Sequence, residues 1–151
     1  MDLDSLLSES EAAVLDEAYT ALHHAHLAHY EAAGEHLTRQ RLADLFELVA
    51  SAIRSRDLAA LSAYTEKLAE ERFGEGFDIS EVQAAFNALE LALWRRVVAA
   101  APPGELAEAI GLMSTVVGYG KDTLARTYVS LASQRHVPSL DLSALFAGVE
   151  S

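Results

Sequence analysis

LAEERFGEGFDISEVQAAFNALELALWRRVVAAA, residues 68–101, holds a helix end, a helix start and a complete inward-facing row. Gly74-Glu75-Gly76 releases a helix that ends near Phe73, because glycine tolerates the backbone angles of a helix exit. Asp78-Ile79-Ser80-Glu81 follows as a capping box, in which each end of the motif satisfies a backbone N–H of the opening turn. Val82, Phe86, Leu89, Leu93 and Val97 then recur at the 3,4 spacing of one buried stripe, predicting a helix from Asp78 to about Ala101. Pro102-Pro103-Gly104 ends it. Trp94 lies beside the inward row and is expected in the core.

The same periodicity extends in both directions. Ser8-Glu9-Ser10-Glu11 has the capping-box pattern and predicts a first helix running unbroken to about Ala33, with Gly34 as its stop. A second helix is expected from about Leu37 to Arg56, with Leu42, Leu45, Phe46, Val49 and Ile53 inward and Arg39, Arg41, Asp44, Glu47 and Arg54 on the other side. Asp57 can cap a third, from about Leu58 to Phe73, on which Leu61, Thr65, Leu68 and Arg72 share a face. From Glu105 to Gln134 a long final stripe runs through Leu106, Ile110, Met113, Val117, Leu124, Tyr128 and Leu131. Gly111, Gly118 and Gly120 interrupt it, which fits either a kink near Gly118-Tyr119-Gly120 or the close approach of a neighbouring helix. Residues 1–138 thus form one helical domain, and 139–151 a short tail whose Leu140, Leu142, Leu145 and Phe146 suggest docking. Signals for strands and internal repeats are absent.

Composition agrees. The chain has 151 residues, about one domain, with an apolar half dominated by alanine and leucine and only three prolines. Eleven Lys and Arg against 23 Asp and Glu give a formal net charge of −12, which repels nucleic acid and anionic membranes. There is no cysteine, so disulfides, thiolate nucleophiles and zinc–thiolate sites are excluded. With no signal-peptide pattern and no long apolar run, a soluble cytoplasmic protein is expected.

Five of the six histidines fall in HHAHLAHYEAAGEH, residues 23–36. At about 100° per residue, His26 and His29 share a side with Leu15, Tyr19 and Leu22, while His23 and His24 fall with Asp16, Glu17 and Thr20. Only His26 and His29 can converge on one ligand, joined by His36 if the helix were continuous. A stable metal site wants three or four ligands, and neither His-Glu-x-x-His nor a di-iron carboxylate pattern occurs. No metal site is assigned. Haem needs just one histidine in a helical pocket, so a haem- or metal-binding sensor using His26 or His29 is the alternative to a cofactor-free protein. A histidine-based pH sensor is a further reading. Phosphate loops and nucleophile elbows are absent, and Glu70-Glu71-Arg72 and Arg95-Arg96 read most simply as solvated helix faces. No catalytic residue is assigned.

The segment from Leu68 to Leu89, with Arg41-Leu42-Ala43-Asp44-Leu45, Arg56-Asp57-Leu58-Ala59-Ala60-Leu61 and Lys121-Asp122-Thr123-Leu124-Ala125-Arg126-Thr127-Tyr128, resembles the N-terminal sensory domain of RsbR-type RsbT co-antagonists, in particular the RsbRD N-terminal family. The resemblance covers roughly residues 10 to 134. It implies a globin-like helical fold lacking haem, a homodimer formed through terminal helices, and a role in receiving a signal for a stress-response assembly. Family members commonly continue into a STAS or other output domain, whereas this chain ends at Ser151, so signalling in trans is expected.

Together these readings predict an all-α, globin-like bundle of five to six helices with a long C-terminal helix, acting as a non-enzymatic sensory or protein-interaction domain. Its partners are expected to be a second copy, a signalling protein and an unknown small molecule. His26, His29 and Trp94 are the ligand-pocket candidates; whether a buried pocket forms between the first and fourth predicted helices is a question for the structure. Tyr119 and Tyr128 are the interface candidates, on the view that terminal helices have fewer intrachain neighbours to cover their apolar faces.

Overall fold

A computed structural model describes residues 3–136, and among them six α-helices and no strand: α1 (Leu3–His24), α2 (Ala28–Ala33), α3 (Glu35–Ser55), α4 (Ala59–Gly74), α5 (Ile79–Ala100) and α6 (Leu106–His136). The residues of the C-terminal tail, 139–151, lie outside those described. The chain is an all-α bundle with a long last helix. Helix α5 lies between α1 and α6, α3 packs across α1, and α4 packs on α6.

The predicted rows form the core. Leu42, Leu45, Phe46, Val49 and Ile53 on α3, Val82, Phe86, Leu89, Leu93 and Val97 on α5, and Met113, Val117, Leu124 and Tyr128 on α6 are all buried. The Asp78 capping box is complete: Ser80 N–H donates to Asp78, and Glu81 accepts from the Asp78 N–H at 3.1 Å. The N-cap of α4 is Leu58, which makes no side-chain cap; the expected cap, Asp57, stands one residue earlier and its Oδ1 accepts from Ala59 N–H at 2.9 Å. Ion pairs tie α1 to its neighbours, Asp4 to Arg54, Asp16 to Arg39 and Glu17 to Arg95.

Three features depart from the sequence reading. Helix α1 already includes Leu3, the first described residue, so Ser8–Glu11 lies inside it and caps nothing. Extending the helix buries Leu6 and Leu7, each contributing about 1.5–3 kcal/mol, against about 1 kcal/mol for a cap.

The helix also stops early. At Ala25–Leu27 the chain turns, His26 adopting a left-handed φ of 51°, before α2 resumes at Ala28. Ala25 N–H is shared between Ala21 O and Leu22 O, a tightening typical of a helix end. Gly34, at φ 88°, then ends α2 and starts α3. This bend points His29 and Tyr30 at the loop before α5, a tertiary gain that no local spacing encodes.

Helix α6 is continuous through Gly118 and Gly120, and a Cβ at Gly120 would stand 2.8 Å from Phe86 Cε1. Gly120 is the place where α5 approaches closely. Gly111 and Gly118 face open space.

Candidate functional site

The buried chemistry of the molecule gathers where α2, α3 and the end of α4 meet the 75–78 loop. Phe77 is its hub. This ring is buried, edge-on to Tyr30 at 5.4 Å and 4.6 Å from the His29 ring. The guanidiniums of Arg41 and Arg72 approach the same ring, at 5.9 and 5.7 Å from its centroid. Tyr128 reaches in from α6 and donates its hydroxyl to Phe77 O at 3.2 Å. Phe77 N–H in turn donates to Arg72 O at 2.9 Å, fixing the loop on the end of α4.

Arg72 is 5% exposed, which follows from its place on the Leu61-Thr65-Leu68 face of α4. Its Nη1 donates to Glu75 at 3.3 Å and lies 3.8 Å from Glu71. Arg41 Nη2 is 3.7 Å from the same Glu75, and Arg41 Nη1 is buried with no hydrogen-bond partner. Burial and the neighbouring Arg72 charge hold the Arg41 guanidinium below its ordinary pKa. Two cations therefore share one half-exposed carboxylate. Burial pushes the hydroxyls of Tyr30 and Tyr128 up to about 12, so both remain neutral hydrogen-bonding groups across the physiological range.

Beside this corner, His29 Nδ1 lies 2.8 and 2.9 Å from the two Glu81 oxygens, and the His29 backbone N–H donates to Oε2 at 3.3 Å. Burial pushes the Glu81 carboxyl up, but the hydrogen bonds from Asp78 N–H and from His29 outweigh it and hold the group below its ordinary value. An ionised carboxylate only accepts, so His29 carries its proton on Nδ1. Glu81 thus caps α5 and latches α2 onto it.

His26, His29 and Trp94 stand apart in the structure. His26 is exposed in the α1–α2 turn, paired to Glu31 at 3.0 Å, while His29 is committed to Glu81. Trp94 lies thirteen residues beyond Glu81 on α5, about 20 Å along the helix. It is 43% exposed, not core. Its position one residue from buried Leu93 turns the ring by about 100°, off the inward row. His23 and His24 are exposed, with the His23 and His26 rings 6.2 Å apart. Among the described residues no three His, Asp or Glu side chains are grouped to hold a metal ion. Tyr128 is 7% exposed and belongs to the Phe77 corner, so it is not a surface anchor; Tyr119 is half-buried on α6.

Sequence reasoning missed the arginine corner. Arg72 already shares a face with Leu61, Thr65 and Leu68, and a cation in an apolar row is the signal that could have revealed it. Arg41 gives no such signal.

A family model for the RsbT co-antagonist protein rsbRD N-terminal domain matches residues 4–137, which span all six helices. The chain belongs to this family. Its members are signal-input domains of stress signalling, a role exercised through contacts with other proteins. No curated protein and no solved structure matches the chain. As an rsbRD-type domain it carries a second surface of interest. Leu91, Trp94 and Val98 on α5, spaced i, i+3 and i+7, are 47%, 43% and 42% exposed and form one apolar row on the outside of the bundle. No described helix is long and apolar enough to cross a membrane.

Proposed function

We propose that this rsbRD-type domain is a cytoplasmic, non-enzymatic signal-input module that works as a homodimer, with the outer row of α5 as its dimer surface. The observation that carries this reading is the Leu91-Trp94-Val98 row. Large apolar side chains aligned on one exposed helix face are commoner at interfaces than on free surfaces. The row is nearly symmetric about Trp94, with three residues to Leu91 on one side and four to Val98 on the other. In an antiparallel two-fold arrangement, Leu91 of each copy meets Val98 of its partner and the two Trp94 rings meet at the axis. A second copy is therefore complementary without any change of charge.

The terminal helices are poorer candidates than the resemblance implies. Among the described residues the apolar rows of α1 and α6 are largely spent in the core, and on α6 Val129 is the exposed large apolar side chain. Sedimentation at micromolar to high-micromolar concentration is expected to give a dimer for the native protein and a monomer for Trp94→Asp. The far-UV circular dichroism of the two should coincide, since Trp94 supports nothing in the core. A native monomer at high micromolar concentration, or a Trp94→Asp dimer, would sink the proposal.

A further inference from the structure

Arg41 and Arg72 offer ten N–H donors between them; among the described residues Arg72 Nη1 donates to Glu75, and Arg41 Nη1 is buried with no hydrogen-bond partner. Buried donors are normally satisfied, and a guanidinium most readily by a planar, two-oxygen anion. Glu75 supplies this poorly: it is half-exposed, divided between both arginines and 3.7 Å from Arg41. The two guanidiniums stand between two spaces. Outside, between α3 and α4, is a cleft of about 350 Å³ walled by Arg41, Tyr64, Leu68 and Arg72, with Lys67 and the carboxylates of Asp44, Glu71 and Glu75 also lining it, so an anion must compete with those carboxylates for the two arginines. Inside, sharing Arg41, Tyr64, Leu68 and Arg72, is a chamber of about 20 Å³ closed by Leu42, Val82, Ala85 and Phe86. The chamber has room for a group about the size of a water or a methyl, and its wall is mostly apolar, with Tyr30 and Thr38 also lining it.

We propose that this cleft binds a short-chain monocarboxylate. The carboxylate takes the two arginines from the outer side, displacing Glu75 and satisfying Arg41 Nη1, and the short apolar end occupies the inner chamber. Acetate and propionate match that length. A ring or a long tail does not. The site goes beyond the signal-input reading and fails separately from it: a protein that binds no carboxylate could still dimerise through α5.

The test is a titration of ¹⁵N-labelled protein with sodium acetate, propionate, benzoate or nitrate, exchanged for sodium chloride at constant ionic strength. Acetate and propionate should shift the arginine side-chain resonances saturably and more tightly than nitrate, which offers the oxygens without an apolar end, and benzoate should not bind. Arg41→Gln, checked for native spectral dispersion, should weaken propionate at least about tenfold, the loss of one charge-assisted bidentate contact. Glu75→Gln, which removes an internal competitor, should tighten binding about two- to fivefold. Ala85→Val narrows the chamber and should weaken propionate more than acetate. Nitrate or chloride binding as tight as that of acetate, undiminished binding by Arg41→Gln, or weaker binding by Glu75→Gln would each overturn the assignment.

Discussion

A Cβ at Gly120 would overlap Phe86, whereas one at Gly118, two residues earlier on the same helix, would meet nothing within 4 Å. The two glycines therefore respond oppositely to the same substitution. Gly120→Ala should destabilise the protein by about 1–3 kcal/mol through overpacking, and Gly118→Ala should stabilise it by about 0.5–1 kcal/mol through helix propensity. Urea denaturation of the pair measures both, and equal effects would contradict the close approach of α5. Arg72 poses a related question, because its aliphatic stem is as deeply buried as its charge. Arg72→Ala should cost about 2–4 kcal/mol in lost packing. Arg72→Met, which keeps the stem while its carboxylate partners remain at the surface, should stay within about 1.5 kcal/mol of the native protein. If Met is as damaging as Ala, the charge rather than the stem carries the corner.

At the scale of the element, the start of α5 joins a local motif to a distant one. Asp78 and Glu81 form the capping box from sequence neighbours alone, yet the same Glu81 carboxylate accepts both N–H groups of His29 on α2. Because the folded state holds Glu81 below its ordinary value, its contribution to stability is complete above the unfolded pKa of about 4.3 and is lost as pH falls through the lower, folded value. The urea midpoint of the native protein should therefore fall on acidification below about pH 4.5, and that fall should be shallower in Glu81→Gln. In the same variant α2 should lose amide-exchange protection before α5 does, since α2 has just six residues and few other anchors. Parallel acid profiles for the two proteins would remove Glu81 as the latch.

For the whole molecule, the formal charge of −12 is spread over a bundle in which Arg39, Arg54, Arg95 and Lys121 make ion pairs between helices. Those surface pairs are individually weak, whereas the excess of carboxylates repels over the entire surface. Screening should therefore stabilise more than it weakens. Raising sodium chloride from about 0.02 to 0.5 M, which shortens the screening length to a few ångströms, is expected to raise the melting temperature by on the order of a few degrees. A fall would mean that the interhelical pairs outweigh the general repulsion. The same charge bears on the dimer proposal: association through an apolar row should strengthen with salt, since two copies of this chain repel.

The helical fold was legible in the order of residues because periodicity and capping are local. Asp78-Ile79-Ser80-Glu81, the Val82-to-Val97 row and the Leu42-to-Ile53 row state their own conformation within a few turns, and the domain family could be recognised from the same stretches. What lay beyond local reading was decided by packing between distant segments. The break after His24, the extension of α1 ahead of Ser8 and the role of Gly120 each depend on what the neighbouring helix presents, and a short segment yields its own preference when several buried side chains gain by it. The candidate site is the clearest instance. Arg41, Arg72, Glu75 and Phe77 converge because α3 and α4 close on one loop, and no spacing along the chain records that meeting. Trp94 shows the converse: its sequence neighbours promised burial, and the orientation of α5 between α1 and α6 left it outside. The sequence determined the helices and their inward faces; the tertiary structure decided which polar groups share a cavity and which apolar ones face outward, because those depend on angles and distances between helices rather than on any helix alone.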